Sequence, residues 1–103
     1  MSSIGKLMKQ AQKVQREMAQ KQEELAQRNF EASSGGGMVT AKVNGKQELL
    51  ELKIEPDVVD KNDIAMLQDL ILAAVNEAHR RAAEDMQKEM SSLMGGMGMP
   101  GMF

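Results

Sequence analysis

The chain has no cysteine, no tryptophan, no tyrosine and one histidine, His79. Without cysteine there is neither a disulfide framework nor a thiolate metal centre. A lone histidine cannot complete a Ser/His/Asp or Cys/His arrangement, and His79, mid-helix beside Arg80 and Arg81, reads as a solvated helix residue. Phe30 and Phe103 are the only aromatic residues, so stacking platforms for a single-stranded nucleic acid are missing. Apolar runs are short as well. The longest covers residues 70–75, far below a membrane span, and the start of the chain lacks the apolar region of a secretory signal. The expectation is a single cytoplasmic domain that is not an enzyme, with no cofactor, no small-molecule substrate and no membrane partner.

Charge is present in quantity and unevenly placed. The net charge is −2, yet residues 1–16 hold Lys6, Lys9, Lys13 and Arg16 with no acid, so the fifteen acids all lie beyond them. Local potential governs encounter with a polyanion, so a basic end on an acidic chain still suits nucleic acid.

The stretch from residue 3 to about 29 reads as one helix, free of glycine and proline between Lys6 and Phe30. Ile4, Leu7, Ala11, Val14, Met18 and Leu25 fall at heptad a and d positions, with Lys21 and Arg28 at the later d positions. A helix of some 26 residues is about 39 Å long, so part of it should project beyond a small domain. Lys6, Lys9, Lys13 and Arg16, at i, i+3, i+7 and i+10, make a second stripe roughly opposite the apolar one. A solubilising helix face usually mixes signs, and this one is purely basic for three turns.

Residues 30–34, 38–44 and 47–55 read as three antiparallel strands. Gly35-Gly36-Gly37 supplies the first turn, and Asn44-Gly45 predicts a type I′ hairpin at the second. The triple glycine lacks the Gly-Lys-Ser/Thr ending of a phosphate loop. Val39, Ala41 and Val43 alternate with Thr40 and Lys42; Leu50, Leu52 and Ile54, expected inward, alternate with Glu51, Lys53 and Glu55. This describes an α+β fold with helices on one side of the sheet. Asp60 is the expected N-cap of a second helix, with Asp63 at N3 and a Val59–Ile64 staple. Its apolar face includes Ile64, Leu67, Leu70, Ile71, Ala74, Val75 and Ala78; beyond His79 a thinner seam of Ala82, Met86, Met90 and Leu93 suits contact with another helix. Arg80, Arg81 and Lys88 near its far end are further candidates for phosphate contact, but Glu84, Asp85 and Glu89 interleave with them, which favours a salt-bridged face. The domain is taken as residues 1–94, and the Gly/Met-rich residues 95–103 as a disordered tail. Apolar seams on projecting helices point to a homodimer.

The pattern resembles the YbaB/EbfC family of bacterial nucleoid-associated proteins over about residues 4–101. The resemblance is carried by L-M-K-Q-A-Q (7–12), S-G-G-G-M-V (34–39), N-G-K (44–46), L-K-I-E-P-D (52–57), M-L-Q-D-L-I-L-A-A-V-N-E-A (66–78) and P-G-M (100–102). It implies an α-β-β-β-α protomer, a tweezer-like homodimer with two long projecting helices, binding to duplex DNA and a place at the nucleoid, with possible roles in nucleoid organisation and gene regulation. The family's acidic E-x-L-E-D-L run is reduced here to Asp69, with Ala65 and Gln68 at the other acidic places, so no role for that cluster is carried over. The rival reading is a prefoldin-like chaperone or adaptor that holds proteins through its helices.

Overall fold

The computed structural model describes residues 2–96. The elements run α1 (Ser2–Ala26), β1 (Asn29–Ser34), β2 (Val39–Asn44), β3 (Leu49–Ile54), a short 3-10 turn (Pro56–Val58) and α2 (Ile64–Gly96). The α-β-β-β-α order is the expected one, with strands in sheet order β1-β2-β3, both pairs antiparallel. The described chain measures 75 × 28 × 16 Å with a radius of gyration of 20.5 Å. A compact chain of this size would give about 13 Å, so the helices do extend past the sheet. No described helix is long and apolar enough to cross a membrane.

The core is one face of β2 under one face of α2. Val39, Ala41 and Val43 are fully buried, and Ala74, Ala78 and Ala82 stand against them and Ala32. Those three alanines recur every fourth residue and so form a single line along the helix. Small side chains let the helix approach the sheet closely, while Leu67, Leu70, Ile71 and Val75 pack around the contact. Ser34 Oγ donates to the Leu70 carbonyl, fixing the β1 end against the same helix. Gly35, Gly36 and Gly37 turn the chain with φ of 60, 68 and 94°, values that glycine alone adopts without strain.

The sheet departs from the expected arrangement in three places. Only α2 packs across it, mainly on β1 and β2; α1 meets it through its C-terminal turn, so the helices do not share one side. The β2–β3 register slips between Lys42 and Val43, which pairs Val43 with Leu49 and leaves Leu50 as the extra residue of a bulge. Leu49 and Leu52, opposite Val43 and Ala41, thus face the core side, yet they lie beyond the edge of α2. Leu49, Leu50 and Leu52 are 46, 52 and 37 % exposed, and only Ile54 of the three residues expected inward is packed against the core.

The hairpin itself is also different. Neither Asn44 nor Gly45 has a positive φ; Gln47 does, at 67°. Gln47 N–H donates to the Asn44 carbonyl and Asn44 N–H to Glu48, which is a three-residue loop closed by a left-handed residue. Asn44 Oδ1 accepts from the Lys46 and Glu48 amides, an Asx arrangement that replaces the expected type I′ turn. Gly45 is required for a separate reason: a Cβ there would lie 1.9 Å from the Leu25 carbonyl oxygen and 3.0 Å from Ala26 Cα. Its N–H donates to the Ala26 carbonyl, 3.2 Å away. The hairpin tip and the end of α1 are in backbone contact.

The start of α2 is corrected as well. Asp63, not Asp60, caps the helix, with its carboxylate accepting from the Met66 amide at 3.2 Å. Asp60 instead forms a turn, accepting from the Asn62 and Asp63 amides. With the cap moved three residues on, Val59 and Ile64 no longer occupy staple positions, and both are exposed; Val58 takes the buried place. The helix continues through Gly96, so Gly95 and Gly96 are helical. The remainder of the expected tail, residues 97–103, lies outside the described residues.

Two glycines separate the roles of backbone space and backbone freedom. Gly45→Ala should lower stability by about 1–3 kcal/mol, the usual cost of forcing extra volume into a packed place. Gly5, inside α1 with nothing within 4 Å of a built Cβ, should gain roughly 0.5–1 kcal/mol on change to Ala. Denaturant unfolding followed by circular dichroism reads both signs.

Candidate nucleic-acid interface

The same stripe of α1 changes character along its length. Ile4, Leu7 and Val14 are 64, 64 and 37 % exposed, whereas Leu25 is 1 % exposed and Met18 is half-buried. The second half of the helix is held beside α2 by a group of ion pairs. Arg28 Nη1, just past the end of α1, donates to Asp85 Oδ2 at 3.0 Å and Glu89 Oε1 at 2.8 Å. Lys21 Nζ lies 3.5 Å from Glu89 Oε2. The Glu89 carboxyl is held below its usual range, chiefly by the Arg28 hydrogen bond and despite some desolvation. Sequence reasoning placed Arg28 on the apolar stripe without a partner; the partners sit 57 and 61 residues away, and nothing local marks them.

Opposite the stripe, Lys6, Lys9, Lys13 and Arg16 are all exposed. None of the four makes an ion pair among the described residues, in contrast to Lys21, Lys42, Lys53, Arg28, Arg80 and Arg81. They span about 15 Å of helix. The first turn of α1 carries no acid, so the positive end of the helix dipole adds to these cations instead of being neutralised. Gln12 and Gln15 flank Arg16 around Ala19, which places two amides beside the basic row. Gln10 lies on the other flank, with Leu7 and Ala11.

The second candidate set is largely engaged elsewhere. Arg80 Nε donates to Glu77 at 2.8 Å, and its guanidinium also pairs with Glu84. Arg81 Nη1 donates to the Glu31 carbonyl at 2.6 Å and so ties α2 to β1. Lys88 is exposed and has no ion pair among the described residues. The structure therefore separates the two sets: the four α1 cations are exposed and without ion pairs among the described residues, while both arginines of α2 are exposed and hydrogen-bonded to other groups of the chain.

His79 is more than a solvated residue. Its Nδ1 contacts Gln47 Oε1, and Gln47 Nε2 donates to the His79 carbonyl at 3.0 Å. The pair joins the hairpin tip to α2 through Gln47, the residue in the left-handed region. Among the described residues, no three His, Cys, Asp or Glu side chains are grouped to hold a metal ion.

With the projecting basic helix in view, comparison with known proteins decides the family. The profile of the YbaB/EbfC DNA-binding family matches residues 1–97. The chain belongs to this family. It is 57 % identical over 101 residues to a nucleoid-associated protein of Clostridium novyi (strain NT), covering 98 % of this chain and 89 % of that one. A nucleoid-associated protein of Acetivibrio thermocellus is 53 % identical over 102 residues, with 98 and 90 % coverage. The crystal structure of an uncharacterized protein from Helicobacter pylori superposes with a TM-score of 0.64 at 26 % identity, covering 82 % of this chain and 96 % of that one. The order of elements read from the sequence and the YbaB/EbfC resemblance are thereby established.

The Arg28 group makes a pH-dependent contribution whose sign follows from Glu89. A carboxyl whose folded pKa is lowered stabilises the fold fully above its ordinary pKa and stops doing so as pH falls through the folded value. Thermal melts of the wild type and Glu89→Gln should therefore differ most near neutral pH, with the variant less stable. The gap should close as the solution is acidified below the ordinary carboxylate range. A gap independent of pH would show that the ion pair is not its origin.

Proposed function

We propose that this YbaB/EbfC protein is a nucleoid-located homodimer that binds duplex DNA by phosphate contact through α1, acting by binding and not by catalysis. The observation that carries the reading is the row of Lys6, Lys9, Lys13 and Arg16, exposed and without an ion pair among the described residues, at the projecting end of the molecule. A helix about 10–12 Å across matches a major groove about 12 Å wide. Duplex DNA offers one charge per about 1.7 Å of axis, so a 15 Å row meets more phosphates than it has cations. Gln12 and Gln15 beside the row are the groups suited to touch base edges, and a modest sequence preference follows from so few. Arg80 and Arg81 contribute to the fold first; Lys88 is the member of the second set best placed to add a phosphate contact.

Dimerisation is supported by the sheet. Leu49, Leu50 and Leu52 are exposed on β3, an edge strand whose core-side residues α2 leaves uncovered. Leu72, Ile64 and Met66 of α2 are exposed as well, at 58, 47 and 41 %. A second copy would cover such surface twice over, once on each protomer, and would carry two basic helices on one particle. Sedimentation equilibrium should give about twice 11.3 kDa. Leu50→Lys with Leu52→Lys should weaken self-association at least ~100-fold, since burying an unpaired charge costs several kcal/mol.

The experiment that tests the DNA reading is a duplex titration at several salt concentrations. For about four to eight phosphate contacts per dimer, log K against log salt should slope by roughly −4 to −7. Lys9→Gln, Lys13→Gln and Arg16→Gln together should flatten the slope and weaken binding to all duplex sequences alike, while helix content and dimer mass stay unchanged. Wild-type affinity and slope in the triple variant would reject α1 as the contact, and suppression of client aggregation would then favour the chaperone reading.

A further inference from the structure

Asn44-Gly45 is the one Asn-Gly pair of the chain, and such a pair is labile in its covalent chemistry. Glycine has no Cβ to obstruct attack by its own backbone nitrogen on the asparagine side chain. In that reaction Gly45 N bonds to Asn44 Cγ, the Cγ–Nδ2 bond breaks, and ammonia leaves with the proton that Gly45 N gives up. Water then opens the cyclic imide to an aspartyl or isoaspartyl residue, so amide and water become carboxylate and ammonium. The fold requires both members of the pair. Asn44 Oδ1 accepts from the Lys46 and Glu48 amides at 2.9 and 3.0 Å, and a Cβ on Gly45 would lie 1.9 Å from the Leu25 carbonyl oxygen.

The surroundings treat the two reacting groups in opposite ways. Two backbone N–H groups on Oδ1 polarise the side-chain carbonyl and stand where negative charge gathers during attack. The nucleophile is held back. Gly45 N–H donates to the carbonyl of Ala26, the last residue of α1, at 3.2 Å. Loss of that proton would set an anionic nitrogen against a carbonyl oxygen at the negative end of the helix. We propose that Asn44 is a self-modification site gated by α1, whose last carbonyl blocks cyclisation while the helix is docked and permits it when the helix lifts. Buried Leu25 and the bonds from Arg28 to Asp85 and Glu89 hold that end of α1, so this junction sets the rate. The product acts back on the junction. Asn44 Nδ2 donates to Glu48 Oε1 at 2.8 Å, and a carboxylate in its place meets Glu48 as a like charge. Glu23 of α1 lines the same cleft, as does Lys46, which offsets part of the charge. The isoaspartyl form also adds a methylene to the main chain where Gly45 has no room to spare. A transient opening of α1 is thereby converted into a lasting one, whatever the helix binds.

The test follows position 44 by peptide mass spectrometry in the whole chain, kept folded at mildly alkaline pH. The wild type should convert at least about tenfold more slowly than the same chain unfolded in urea, because cyclisation waits for local opening of α1. Arg28→Ala should convert several-fold faster than the wild type, with Arg28→Lys between them. Lys21→Gln, which weakens the same junction, should move the rate in the same direction if Arg28→Ala does not fold. Ser34→Ala removes a bond from β1 to α2 that does not involve α1 and should leave the rate unchanged. Wild-type conversion at the unfolded rate, or no acceleration on loosening the junction, would overturn the gate. So would equal acceleration in Ser34→Ala, which would assign the reaction to global unfolding. For the return effect, Asn44→Asp should speed amide hydrogen exchange at residues 22–26 several-fold while residues 74–82 keep wild-type rates. Unchanged exchange at residues 22–26 would overturn that part.

Discussion

The close seating of α2 on β2 is the contact from which the rest of the molecule follows. Val39, Ala41 and Val43 have no exposed surface, and neither have Ala74 and Ala78 above them. Side chains this small leave little tolerance: a larger residue on the alanine line would lift the helix and open the core along its length. The line also centres α2 over β1 and β2, because that is where the alternating face of the middle strand lies. Two consequences are fixed at once. The far strand, β3, is left with leucines that its own chain does not cover, and the long C-terminal half of α2 has no sheet beneath it. The first leaves the apolar surface on which the proposed dimer rests; the second makes a support for α1.

Much of this was legible in the sequence, and the misses share a physical cause. Alternation, helical periodicity and turn residues are local signals, and they placed the five main elements with small errors at the ends. The cap lies at Asp63 and not Asp60: both are residue types suited to a cap, and Asp60 instead closes the turn that follows the buried Val58. The hairpin differs because Asn44-Gly45 satisfies two turn geometries, and the proximity of α1's last carbonyls selects the one with Gln47 in the left-handed region. A bulge at Leu50 takes that residue out of the expected alternation, and Leu49 and Leu52 are exposed because α2 does not cover β3; no period-two rule detects either. Each of these was decided by contacts between residues distant along the chain.

The candidate site divides the same way. The spacing of Lys6, Lys9, Lys13 and Arg16 places them on one helix face, and there they are. Their freedom from ion pairs among the described residues was only partly readable: no acid precedes Glu17, yet Glu17 stands one turn from Lys13 and does not pair with it. For Arg80 the acids at i−3 and i+4, Glu77 and Glu84, gave local warning of its engagement. The bond from Arg81 to the Glu31 carbonyl had no such sign, nor did the grip of His79 on Gln47. Arg28 is the clearest omission, a residue at an apolar heptad position that turns out to join two helices. Long-range pairs between charged residues leave no periodic trace, so a single sequence does not report them.

That junction has a mechanical meaning. Arg28 and Gly45 fasten the base of α1, while Lys6 sits 22 residues, or about 33 Å, along a straight helix from Arg28. A rod held at one end magnifies any tilt at its foot. Swinging by about 10° there carries the tip through about 6 Å, more than the 3.4 Å of axis that separates successive phosphates on one strand. On the proposed reading, stiffness at the foot sets how many DNA backbone positions the tip samples, and the side chains that govern aim lie a helix length away from the ones proposed to touch.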